Sequence, residues 1–211
     1  MDHALIQMPV DEALSFIGKV PNEEFIKDAQ KIQFNVRSPR KLDIHLQLDD
    51  FNKLVSLIQN PANDMVLLFC AIGLRRMLCN QIQPPIDAFI AAGLVQLFID
   101  ILRARDDFLK LQFEAAWCLT NVASGTSEHV GVLIEHGVVG CFTKFLASKH
   151  IDLVEQVVWG FGNIAGDKVE FRNSLIEEGI VDKINRILAP RAMERSQFVR
   201  NASWALTNLC R

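Results

Sequence analysis

Two independent markers recur along this 211-residue chain with one shared period, and that period limits the folds open to it. A glycine followed by apolar residues occurs as Ala92-Gly93-Leu94-Val95, His136-Gly137-Val138-Val139 and Glu178-Gly179-Ile180-Val181, at glycine spacings of 44 and 42 residues. A tryptophan followed four residues later by an asparagine occurs as Trp117/Asn121, Trp159/Asn163 and Trp204/Asn208, at spacings of 42 and 45. A period of roughly 40–47 residues is that of stacked helical solenoids, whose units bury their apolar faces against their neighbours.

Between the markers the chain reads as helix. A short helix is expected over 87–92, after Pro84-Pro85, because proline suits a first helical turn. Gly93 then stops it as a C-cap glycine does. Leu94, Leu97, Phe98 and Ile101 carry the i, i+3, i+4, i+7 spacing of a second, amphipathic helix. A longer third helix is expected over 108–123, with Leu111, Ala115, Leu119 and Val122 on one face. The same triplet restarts at Ser127 and at Asp167, and no stretch alternates with period two long enough for a strand.

The expected fold is all-α. Three helices per unit indicate an armadillo-type right-handed superhelical solenoid of about four repeats, over about 47–83, 84–125, 126–166 and 167–211. The first is placed by aligning 69–78 on 114–123, which puts Ile72 in the tryptophan slot and Arg76 in the asparagine slot. Residues 1–46 do not repeat, are polar and are broken by Pro9, Pro21 and Pro39, so a mostly disordered N-terminal arm is expected there.

Composition narrows the function. The net charge of −3 lacks the basic excess of a nucleic-acid-binding domain. No apolar run approaches the roughly 20 residues of a membrane helix, and the start lacks the pattern of a signal peptide. Cys70, Cys79, Cys118, Cys141 and Cys210 show no metal-ligand spacing and are expected to be small buried hydrophobes in a reducing compartment. His3, His45, His136 and His150 show no ligand spacing either. No metal, cofactor, nucleic acid or membrane is expected.

The paired ladders carry the chemistry. Trp and Asn four residues apart share one helix face, and equivalent faces of stacked third helices line one concave groove. Parallel indoles leave slots for aliphatic stems and attract a cation by about 0.5–2 kcal/mol each. Carboxamides offer a donor and an acceptor to an extended peptide backbone. Glu155 and Asp167 flank the middle pair and are placed to take ammonium heads. A lone Trp is more often core, and a lone Asn more often solvent-facing. Three coincident pairs at the structural period favour a groove for an extended Lys/Arg-rich peptide, since core packing has no evident need of the asparagines.

Gln112–Glu128, Glu155–Asp167 and Arg200–Arg211 resemble the second, third and fourth armadillo repeats of the importin-α (karyopherin-α) family, a likeness covering about residues 65–211. The resemblance implies a non-enzymatic adaptor that binds nuclear localisation signals and works in cytoplasm and nucleus. It maps the family's major site onto the three Trp/Asn pairs, onto Asp167 as partner of the key lysine, and onto the turn Ala123, Ser124, Gly125. It also implies importin-β as a partner through a basic N-terminal segment. The stretch 31–41 corresponds to that segment but keeps few of the basic residues. Val130 stands where the family usually has a threonine, so the lysine slot is expected to lose about 1 kcal/mol of hydrogen bonding. The alternative is a transport-deficient scaffold or cargo-sequestering regulator that lacks importin-β coupling. A solenoid ending at Arg211 is further expected to self-associate through its last repeat.

Two other patterns carry less. Gly160-x-Gly162-x-x-Ala165 matches a dinucleotide fingerprint but falls inside a predicted helix with no preceding strand. Ser124, Ser127 and His129 lie close together without a third orienting group for catalysis.

Overall fold

The computed structural model describes residues 48–79, 82–191 and 196–211. The arm expected over 1–46, with its importin-β-like stretch, lies outside them. Eleven helices run through the described residues: α1 Leu48–Gln59, α2 Asp64–Leu78, α3 Ile86–Ala91, α4 Leu94–Ala104, α5 Leu109–Val122, α6 Ser127–Glu135, α7 Val138–Phe145, α8 Ile151–Gly166, α9 Val169–Glu177, α10 Ile180–Arg191 and α11 Ser196–Leu209. The described residues contain no strand. Short, medium and long helices alternate as α3–α4–α5, α6–α7–α8 and α9–α10–α11, and α1–α2 precede them. The architecture is an armadillo solenoid.

Local chemistry sets the corners. Gly93, Gly137 and Gly179 have φ of 71°, 79° and 68°, and they are the only residues with positive φ among those described. Each turns the chain from the first to the second helix of its unit in a left-handed conformation that costs a Cβ-bearing residue roughly 1 kcal/mol or more. The glycine marker in the sequence is therefore the recurrence of this one corner. At α2, the Asn63 side chain accepts from the Val66 N–H at 3.0 Å and caps the helix.

The long helices α2, α5, α8 and α11 pack each against the next and form one wall of the stack. A continuous apolar core runs from Phe51 to Leu209. Phe89, Phe98, Phe108, Phe142, Phe161 and Phe198 fill it. At roughly 25 cal/mol per Å2 of apolar area, each of these six rings is among the larger single contributors to the stability of its unit. Polar ties supplement the core: the Arg105 guanidinium forms a two-pronged pair with Asp64 at 2.9 and 2.8 Å, joining the second unit to α2.

Cys70, Cys118 and Cys141 are buried, but Cys79 and Cys210 are exposed, against expectation. Both exposed thiols sit one residue beyond the last turn of a helix, α2 and α11, where the chain leaves the packed face. Burial pushes the Cys70 thiol up to about 12 and raises those of Cys118 and Cys141 as well, which keeps the three protonated and inert.

Candidate functional site

The tryptophans project from α5, α8 and α11. Trp159 and Trp204 are 41% and 40% exposed, large values for indoles in a chain with this much core. Trp204 lies directly on Gly162: a methyl group there would sit 2.2 Å from its Cζ3 atom. Gly160 makes a similar close approach to Phe142, where a methyl would sit 2.5 Å from Cε2. These contacts explain the glycines of the apparent nucleotide fingerprint, which lie in the body of α8.

Trp117 differs from the other two. The Arg75 guanidinium lies 4.4 Å from its ring centroid, a cation–π contact supplied by the chain itself. Arg75 is held by Glu114, at 2.5 Å, and Lys110 approaches the same carboxylate at 3.3 Å. Burial pushes the Glu114 carboxyl up, but attraction to Arg75 and Lys110 outweighs it and holds the group below the usual range.

The asparagines have a structural use that the sequence argument had denied them. Asn163 donates through Nδ2 to the Thr120 carbonyl at 3.0 Å, and Asn208 does the same to Gly162 at 2.9 Å. The acceptors occupy equivalent positions, so each amide ties its long helix to the one before. Asn121 donates to Cys79 Sγ at 3.2 Å. One amide hydrogen of each is thus engaged, leaving the second hydrogen and Oδ1 of each carboxamide outside that bond.

A cleft of about 400 Å3 opens where these elements meet, lined by Ala123, Ser124, Gly125, Gly162, Asn163, Gly166, Asp167, Trp204, Asn208 and Arg211. Seven of the predicted site residues converge there. Trp117, Asn121, Glu155 and Trp159 do not line it; Glu155 accepts from the Asn201 amide at 3.1 Å on α11. Val130 is 1% exposed and lies outside the lining. Gly162, Gly166 and Arg211 complete the wall; the sequence pattern drew attention to Gly162 only as part of a nucleotide-like fingerprint, and to the other two not at all.

The electrostatics of the cleft favour cations. The N–H groups of Ala123, Ser124 and Gly125 bond back to Leu119, Asn121 and Val122, so this turn has no free backbone donor to offer an anion. The C-terminal ends of α5 and α8 both reach the cleft, each carrying the negative end of a helix dipole. Asp167 is exposed beside them, with one oxygen accepting from Ser127 Oγ at 2.7 Å. Arg211 is the opposing charge. Ser124 bonds the Asn121 carbonyl at 2.7 Å, and His129 bonds Thr126 and Asp87, so the three residues weighed for catalysis have three separate sets of partners.

Three-helix units, left-handed glycine corners and aligned long helices with paired Trp and Asn define an armadillo-repeat protein. The family model for the armadillo/beta-catenin-like repeat matches residues 83–124 and 126–166. Importin subunit alpha-4 of Arabidopsis thaliana is 53% identical over 137 residues, 65% of this chain and 25% of that protein. Importin subunit alpha-B of Dictyostelium discoideum is 44% identical over 203 residues, 95% of this chain and 39% of that protein. The chain belongs to the importin-α family, and it spans between a quarter and two fifths of the length of these relatives. Among solved structures, a designed armadillo repeat protein in complex with the peptide (KR)4 superposes with a TM-score of 0.68 at 21% identity, covering 97% of this chain and 79% of that one. A crystallised engineered protein gives 0.66 at 26% identity, covering 76% and 62%.

Proposed function

We propose that this chain is a non-enzymatic nuclear import adaptor that binds extended Lys/Arg-rich nuclear localisation signals along the face of α5, α8 and α11. The observation that carries this reading is the convergence of Asp167, two helix C-termini and the turn 123–125 beside the exposed indole of Trp204. A lysine ammonium entering the cleft meets the carboxylate and the helix C-termini, while its stem lies against Trp204 or Trp159. The second amide hydrogen and Oδ1 of Asn163 and Asn208 then pair with the peptide backbone, which holds an extended chain without reading its sequence. Glu155 and the Trp117/Asn121 pair extend the same face toward α2. The names of the relatives favour an adaptor over a transport-deficient scaffold. Shuttling between cytoplasm and nucleus, and coupling to importin-β, belong to this proposal.

The test is titration of a labelled Pro-Lys-Lys-Lys-Arg-Lys peptide against the wild type and Asp167→Lys. Expected is micromolar or tighter binding by the wild type, about −8 kcal/mol, weakened by salt and lost in the variant. Asp167 is exposed, so the substitution leaves the core intact. Equal affinity of the two proteins, or no binding by a folded wild type, would sink the reading.

A further inference from the structure

Beside the turn 123–125 sits a histidine that neither the tryptophan ladder nor the acid explains. Thr126 and His129 close a capping box at the start of α6, with histidine in the place where Glu or Gln ordinarily reaches back. The Thr126 N–H donates to His129 Nδ1 at 3.0 Å, and Nε2 lies 2.8 Å from Asp87 Oδ1 on α3. A backbone N–H can donate only to an unprotonated nitrogen, so this geometry requires the neutral ring with its hydrogen on Nε2. The side chain is 12% exposed. Gly125 touches the ring so closely that a methyl there would fall 2.3 Å from Nδ1. Ser127, between the two capping residues, is the group that holds Asp167. One short segment therefore fixes both the turn and the carboxylate of the cleft.

We propose that His129 is a positioning residue of the peptide groove, a latch that holds the 123–126 turn in its binding geometry only while the ring is neutral. This rests on the reading of the groove given above. Protonation places a hydrogen on Nδ1 facing the Thr126 N–H, and the latch opens. The charged groups around this segment are Asp87, bonded to the ring, Glu128, which interacts with both His129 and Lys168, and Asp167, held by Ser127; the positive end of the α6 dipole lies at the same end. The charged residues of α5, Lys110 and Glu114, are engaged with each other and Arg75 in its first two turns, and α7 carries only Lys144, in its last. Asp87 is 95% exposed, so its pairing with an imidazolium is screened and cannot replace the lost bond. The cation-binding groove then loosens on acidification, when the ring takes up its second proton.

The experiment uses the full chain, 15N-labelled, with the basic peptide as probe. In the neutral state the ring nitrogens should report the Nε2–H tautomer and the Thr126 amide should be protected from exchange; as an acid titration charges the ring, that protection should be lost in step with the ring's own resonances. Peptide affinity of the wild type should fall about fivefold over the same titration, the worth of one ordinary hydrogen bond. His129→Gln keeps an acceptor for Thr126 and a donor for Asp87 without titrating. It should retain affinity and lose the extra pH dependence, whereas His129→Ala should be weak throughout. An Nδ1–H tautomer, a Thr126 amide indifferent to ring protonation, or the same pH profile in wild type and His129→Gln would each overturn the proposal. The resonance measurements need no peptide, so failure of the latch is distinguishable from failure of the groove.

Discussion

Trp204 shows how much of the groove is decided by a residue that has no side chain. Its indole lies on Gly162, and any Cβ at that position must displace it. Gly162→Ala should therefore cost about 1–3 kcal/mol, as overpacking does, and should shift the tryptophan emission of the folded protein. Urea unfolding followed by fluorescence measures both, and an unchanged midpoint with unchanged emission would mean that the ring rests there without constraint. The sequence displayed Gly160 and Gly162 plainly, yet their meaning depends on Phe142, brought near by folding within the unit, and on Trp204, brought near by the stacking of the next unit. The asparagines were legible as a ladder for the same reason that their bonds were not: recurrence is visible in one dimension, whereas the Thr120 and Gly162 carbonyls they reach lie 43 and 46 residues away. Structural and binding roles coexist in these amides, because each has more than one hydrogen-bonding position.

Among elements, the pairing of α2 with α5 carries the largest electrostatic stake. Glu114 is 1% exposed and is compensated by Arg75 and Lys110. Its folded-state carboxyl is held below the ordinary range, so this contribution is complete at neutral pH and is lost as pH falls through the depressed value. Arg75→Met leaves the buried carboxylate with Lys110 as its remaining counter-charge in this cluster, and removing one partner of a buried pair costs about 3–5 kcal/mol. The carboxyl then titrates higher, so the deficit should be greater at about pH 7 than at about pH 5, because a protonated carboxyl needs no counter-charge. Denaturant unfolding of wild type and variant at both values tests the sign, and a deficit independent of pH would show that the charge on Glu114 is not what the substitution exposes. Helix order and the glycine corners were readable in advance because they are set within a few residues, by apolar spacing and by the φ that only glycine takes cheaply. Arg75 was not readable at all: the ladder slots of its helix fall to Ile72 and Arg76, and its stacking on Trp117 is again a contact between units.

Across the whole molecule, side-chain ties among the described residues join each unit to its neighbour: Arg75 to Glu114, Arg105 to Asp64, Thr120 to Gln156, Asn163 to Thr120 and Asn208 to Gly162. Stability in such a stack is a sum of unit and neighbour terms, so damage at one interface need not reach the next. The lining of the cleft runs from Ala123 to Arg211 and takes nothing from α1 or α2. Arg105→Ala removes the two-pronged pair that binds α2 to the second unit, where the partners are 22% and 32% exposed and the pair is accordingly worth about 1 kcal/mol or less after screening. Hydrogen exchange should then quicken in α1 and α2 by several-fold while α8 and α11 keep their protection, and peptide affinity should stay within about twofold of wild type, as nearest-neighbour coupling requires. Uniform acceleration across all helices, or a parallel loss of affinity, would mean that the stack opens as one cooperative body. The cleft would then depend on α1 and α2 through the stability of the whole, although neither helix lines it.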